Sequence, residues 1–167
     1  MLKEDVFPEA YTAIETDYET ERNKPMPSYN HSLLQLKLGA VLINKYSDKY
    51  QFHSELDLEL PNAQRPTVPD ICIYPKKQTD WVNDILRVKE SPITTIEILS
   101  PMQNIEEVKN KIFNNYFPAG VKSAWLVIPS IQTISIYTPD GQISTFASGT
   151  IHDVTNGISV ELKEVFY

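Results

Sequence analysis

The chain is poor in the residues that mark several protein classes. A single cysteine, Cys72, excludes an internal disulfide framework and any cysteine cluster for zinc. It lies in the apolar run ICIY and reads as a small core residue rather than a nucleophile. Only 5 glycines are present, with no glycine-rich phosphate loop and no dinucleotide fingerprint. No run approaches the ~20 apolar residues that cross a bilayer. The start, MLKEDVFPEA, carries acids where a secretory signal would be basic and then apolar, so the expectation is a cytoplasmic protein with no membrane partner. Basic side chains are also scarce, 15 against 22 acids, for a net charge of -7. That excludes the broad basic field of a tight non-specific DNA binder. Much of the imbalance is local, however: Glu4, Asp5, Glu9, Glu15, Asp17, Glu19 and Glu21 face only Lys3 in the first 21 residues. The remainder is nearly neutral, and charge alone leaves a nucleic-acid partner open.

What is present suits a single folded domain, 167 residues with 41% hydrophobic side chains spread along the chain. Its expected division is an acidic leader at 1–30, a core at 31–129 and a β-rich extension at 130–167. The leader could form a short helix around Pro8 to Asp17. Asn30 is a suitable N-cap for a helix over 31–46, with Leu34, Leu38, Val41 and Leu42 on one face. Strict alternation from Glu55 to Leu60 predicts the first strand. VPDICIYP and ITTIEILSP predict the second and third. Asn104, followed by Glu106 and Glu107 in the first turn, opens a helix over 104–117. SAWLVIP then gives a strand parallel to the third. TISIYT and QISTFA, joined through Pro139-Asp140-Gly141, predict a hairpin that extends the sheet. The fold class is α/β with a mixed sheet.

Two carboxylates interrupt strands that are otherwise apolar, Asp70 in VPDICIY and Glu97 in TTIEILS. A lone buried carboxylate is costly to ionise, by several kcal/mol, unless it is paired or metal-bound. On successive strands the two can converge on a hard cation such as Mg2+, or each can meet a basic partner in a structural network. The rise of the third strand and of the returning helix brings Lys111 level with Glu97. Lys109 is its rival, because it falls within the stripe of Ile105, Val108, Ile112 and Tyr116 while Lys111 lies on the flank. Phe113, Tyr116, Phe117 and Trp125 read as core, His53 and His152 as surface residues, and Ser100 as a helix-entry residue. His31 reads either as a cap or hydrogen-bonding residue near the site or as a partly exposed polar one.

In that arrangement the chain resembles the PD-(D/E)xK nuclease superfamily, and within it a large bacterial family of restriction-endonuclease-like proteins. The resemblance rests on His31, Glu55, Pro69-Asp70-Ile71, Glu97-Ile98-Leu99-Ser100-Pro101, Lys111, Tyr116 and Ala119-Gly120-Val121 with Trp125. It implies a restriction-endonuclease-like αβββαβ core with a C-terminal β-hairpin extension, and a site where Asp70 and Glu97 hold Mg2+ (or Mn2+). Glu55 would be an additional acid and a lysine would orient or activate the attacking water. The chain departs from the pattern in three places. Leu99 stands where the superfamily's usual lysine would be, which moves the role to Lys111. Glu107 replaces an aspartate four residues before that lysine. One extra residue lies between Lys111 and Tyr116, enough to turn the helix and keep Lys109 in contention.

The leading expectation is therefore a metal-dependent endonuclease acting on DNA. The alternatives are a nuclease fold that has ceased to cut and serves as an interaction or binding module, and a hydrolase of another phosphate ester. Cutting both strands of a duplex needs two sites, so a homodimer is an expectation of the task and not of any residue.

Overall fold

A computed structural model describes residues 26–167; the helix expected near Pro8 to Asp17 lies outside the described residues. The chain begins with helix α1 (Tyr29–Tyr46) and continues into strands β1 (Tyr50–Ser54), β2 (Ile71–Pro75) and β3 (Thr94–Ile98). Helix α2 (Ile105–Lys111) runs directly into a π-helical turn (Ile112–Tyr116), and β4 (Ser123–Ile128) follows. After a short 3-10 turn come β5 (Thr133–Tyr137), β6 (Ile143–Phe146), β7 (Thr150–Asp153), β8 (Ile158–Glu161) and α3 (Leu162–Phe166).

Strands β1 to β6 form one sheet in chain order, while β7 and β8 form a separate two-stranded sheet. Within the six-stranded sheet β3 and β4 pair in parallel, with Glu97 opposite Leu126; the other neighbours are antiparallel. The parallel pair flanks α2, as expected of a strand-helix-strand unit. The β5–β6 hairpin extends the sheet, and Gly141 supplies the positive φ of 86° that its turn requires.

Each sheet face has its own core. On one, Ile71, Ile73, Ile96, Ile98, Trp125 and Val127 pack against α1, β7, β8 and α3. The helix contributes Leu34, Leu38 and Leu42, all buried. Their four-residue spacing places them on one stripe, each contributing roughly 1.5–3 kcal/mol. On the other face, Ala124, Leu126 and Tyr137 meet Val108, Ile112 and Tyr116. Cys72 faces away from its neighbours Ile71 and Ile73 by strand alternation and is fully buried. Burial, with Glu97 adding to it, pushes its thiol up to about 12. An aromatic disulfide reagent at neutral pH is therefore expected to release no thiolate from the native protein and one equivalent after denaturation. Rapid reaction of the native thiol would show that this face opens readily.

Two local expectations need correction. Ser28, not Asn30, caps α1: its side chain accepts the His31 N–H at 3.2 Å. The alternating segment from Glu55 to Leu60 is not a ladder strand. Glu55 adopts a left-handed φ of 54° just after β1, and Leu58 makes only isolated bridges, to Thr67 and Val88. Leu58 and Leu60 are nevertheless buried, in the core under α2, so the alternation recorded an inward-facing row without a strand partner. The segment after β6 folds back as β7, β8 and α3 beneath the first face.

Candidate active site

Alternation in β3 decides where the site forms. Ile96 and Ile98 enter the α1-side core, so Glu97 points to the opposite face, the one covered by α2. Asp70 immediately precedes β2, and its Oδ2 accepts the Ile98 N–H at 2.7 Å, which joins the end of β3 to the start of β2. Both carboxylates are almost fully buried, Asp70 at 1% and Glu97 at 3% relative exposure.

Lys111 Nζ lies 2.8 Å from Glu97 Oε1 and donates to the Val68 carbonyl at 3.2 Å. It therefore bridges the β3 carboxylate and the segment leading into Asp70. Lys109 turns outward and pairs with Glu106 at 3.1 Å on the exposed side of α2. Tyr116, completely buried, donates its hydroxyl to the same Glu97 Oε1, and Lys111 Nζ stands 5.6 Å from its ring centroid. Burial first, then the neighbouring Glu97 charge, holds the Tyr116 phenol well above its ordinary range, so it acts as a neutral donor.

A π turn explains how two groups five positions apart reach one oxygen. In an α-helix five residues advance about 500°, leaving the side chains roughly 140° apart. The chain instead makes a π turn, closed by the bond from Phe117 N–H to the Ile112 carbonyl at 3.0 Å. A π turn closes about every five residues, so Lys111 and Tyr116 return to the same side.

His31 completes the cluster from α1. Its Nε2 lies 3.1 Å from Asp70 Oδ2, and its buried Nδ1 has no hydrogen-bond partner among the described residues. Of the two readings of His31, burial at 3% exposure decides for the one next to the site. Gln35, one turn further on, donates to the Asp70 carbonyl at 3.1 Å. Glu55 joins through its backbone, its N–H donating to that same carbonyl at 3.2 Å. The sequence signalled His31 by its place at a helix start and Tyr116 only as core. The tyrosine's hydroxyl role has no signature short of knowing that a π turn follows Lys111.

Asp70 and Glu97 offer hard oxygen donors, and with Lys111 they leave one formal negative charge in excess. That suits a divalent cation bound through one or two carboxylates with water completing its shell. Among the described residues no group of three or more His, Cys, Asp and Glu side chains is placed to hold a metal.

A mixed sheet with buried carboxylates at the start of one strand and within its neighbour, and a lysine from the covering helix, defines a nuclease-like domain of the restriction-endonuclease class. The chain belongs to the Uma2 family, described as "putative restriction endonuclease", whose match spans residues 13–163. It is also similar to a solved structure from Anabaena variabilis described as a "putative nuclease", at 25% identity and a TM-score of 0.72, covering 85% of this chain and 83% of that one. No curated protein matches. Among the described residues no helix is long and apolar enough to cross a membrane.

Proposed function

We propose that this chain is a divalent-metal-dependent endonuclease that hydrolyses DNA phosphodiester bonds at the Asp70, Glu97 and Lys111 cluster. The observation that carries the reading is the Lys111 ammonium seated on Glu97 beside the segment that delivers Asp70. Asp70 and Glu97 would hold Mg2+ or Mn2+. When bound, such an ion polarises the phosphate and eases deprotonation of water.

The protein's own groups supply orientation and charge. Tyr116 and Lys111 both engage Glu97 Oε1, which fixes the rotation of that carboxylate. The Ile98 N–H and His31 fix Asp70 through Oδ2. The Lys111 ammonium orients the attacking water and stabilises the charge that grows on the phosphoryl oxygens. Glu55 acts as an additional acid at the edge of the cluster. The chain's division into leader, core and extension, and its action in the cytoplasm as a homodimer cutting both strands, belong to the same proposal.

Incubation with supercoiled and linear DNA, with Mg2+, with Mn2+ and with a chelator, tests this directly. Cleavage is expected only with the metal, and Asp70→Ala should abolish both cleavage and the calorimetric signal of Mg2+ binding. Unchanged metal binding in that variant would make Asp70 and Glu97 a structural network. A wild type that cuts none of these substrates would favour the interaction-module alternative.

A further inference from the structure

The connection between β2 and β3 exposes four large apolar side chains: Trp81 at 90%, Val82 at 89%, Ile85 at 63% and Leu86 at 89%. The turn that presents them is firmly built. Asp80 Oδ1 accepts the Val82 and Asn83 N–H groups at 3.0 and 3.1 Å, and Asp84 Oδ1 accepts the Ile85 N–H at 2.8 Å. Both acids of this knob are thus turned to its own backbone, while its apolar tips stand in water, where such a cluster marks a contact surface.

The base of the knob stands on the face of the sheet that carries the site. Val88 donates its N–H to the Asp57 carbonyl at 2.9 Å, and its carbonyl accepts the Glu59 N–H at 2.8 Å. Leu58, between those two, bridges Val88 on one side and Thr67 on the other, and packs with Val88 in the core under α2. Neighbouring extended segments lie ~4.8 Å apart, so Val88 is about 10 Å from Thr67. The residue after Thr67 is Val68, whose carbonyl accepts Lys111, and Asp70 follows two positions on. About three base pairs of DNA cover that distance, so a duplex with one phosphate at the Asp70, Glu97 and Lys111 cluster reaches the base of the knob well within a helical turn.

We infer that the 81–86 knob enters a groove of duplex DNA, its apolar side chains against the bases, while Arg65 and Lys89 hold flanking phosphates. The inference rests on the nuclease reading for its occupant and says how that substrate is gripped. Charge carries it. At a net -7 the protein lacks the basic field that holds DNA by phosphate neutralisation alone, and apolar side chains wedged at base steps are a grip that needs no such field. Along the connection the sign reverses: residues 76–90 set Lys76, Lys77, Arg87 and Lys89 against Asp80, Asp84 and Glu90. Lys77 and Arg87 pair with Glu90 and Asp57. Lys89, next to Val88, and Arg65, two positions before Thr67, are exposed and have no ion pair among the described residues.

The test titrates the full chain with a short labelled duplex in the presence of a chelator, where binding is read without cleavage. Tryptophan emission is expected to be quenched to saturation. Trp81→Phe, which leaves the buried Trp125 as the one tryptophan, should bind nearly as tightly and show no quenching. Trp81→Ser with Leu86→Ser should weaken binding roughly 10–100-fold, with a melting curve matching the wild type because both side chains are already in water. Log affinity should fall with log salt at a slope of only about -2, and Arg65→Ala or Lys89→Ala should each remove about 1 of it, whereas the double serine variant keeps the slope. A duplex that leaves Trp81 unquenched, or full affinity in the double serine variant, overturns the inference even where the wild type cuts DNA. A wild type that binds through Trp81 yet cuts with no metal upholds it and removes the nuclease reading. A Trp81 shift that follows protein concentration without DNA overturns it and assigns the knob to a protein contact.

Discussion

Replacing Lys111 by alanine is expected to slow metal-dependent DNA cleavage by ~100-fold or more, the range for loss of one preorganised electrostatic stabiliser. The ammonium is 2.8 Å from Glu97 Oε1 and largely buried, with 13% of the side chain exposed. Without it, the buried Glu97 carboxylate loses its positive partner in the metal-free protein, and the melting temperature should fall. Added Mg2+ should recover much of that loss, because a divalent ion offsets the same charge. Cleavage should not recover, since the water-orienting donor is gone. Lys109→Ala should leave the rate nearly unchanged. Its pair with Glu106 is exposed, and such helix pairs contribute only about 0.2–0.5 kcal/mol. Rate measurements on the two variants separate the assignments: loss in Lys109→Ala with retention in Lys111→Ala would place the working cation two positions earlier.

The largest stability effect is expected far from this site. Asp153, 1% exposed, accepts Ser123 Oγ at 2.6 Å, Trp125 Nε1 at 2.7 Å and Asn156 Nδ2 at 3.0 Å on Oδ2. Its Oδ1 accepts the Thr155 N–H at 2.9 Å and the Thr155 hydroxyl at 2.7 Å. No lysine or arginine takes part in these bonds; neutral donors stabilise the buried carboxylate and bind β7 to the face of β4. Asp153→Ala strands the Trp125 and Ser123 donors and should cost about 3–5 kcal/mol in urea unfolding, a large part of a typical domain's stability. Asp153→Asn keeps one acceptor oxygen and should lose less. Trp125 belongs to the α1-side core, on the face opposite Glu97, so calorimetric Mg2+ affinity should hold in whatever fraction stays folded. A shift below about 1 kcal/mol for the alanine variant would mean that water enters and replaces the lost oxygen.

Local rules settled a good deal of this protein. The four-residue leucine spacing placed α1, and the apolar runs placed β2, β3 and β4. The Asn104 cap placed α2: its side chain accepts the Glu106 N–H at 2.9 Å. Carboxylates in apolar strands marked Asp70 and Glu97, because burial makes such residues too costly to keep without partners. Periodicity records that a face is buried, but not what buries it. Leu58 and Leu60 alternate like a strand, yet only the packing of α2 shows that they line a core without joining the sheet. The rise of β3 and of the returning helix already brought Lys111 level with Glu97, whereas the return of Tyr116 to the same carboxylate depends on the π turn, whose hydrogen bonds no local propensity predicts. The contact of His31 with Asp70, and the support of β7 by Trp125 through Asp153, join residues many positions apart in sequence. Such contacts arise when two layers close on the sheet, and the chain's local preferences carry no term for that closure.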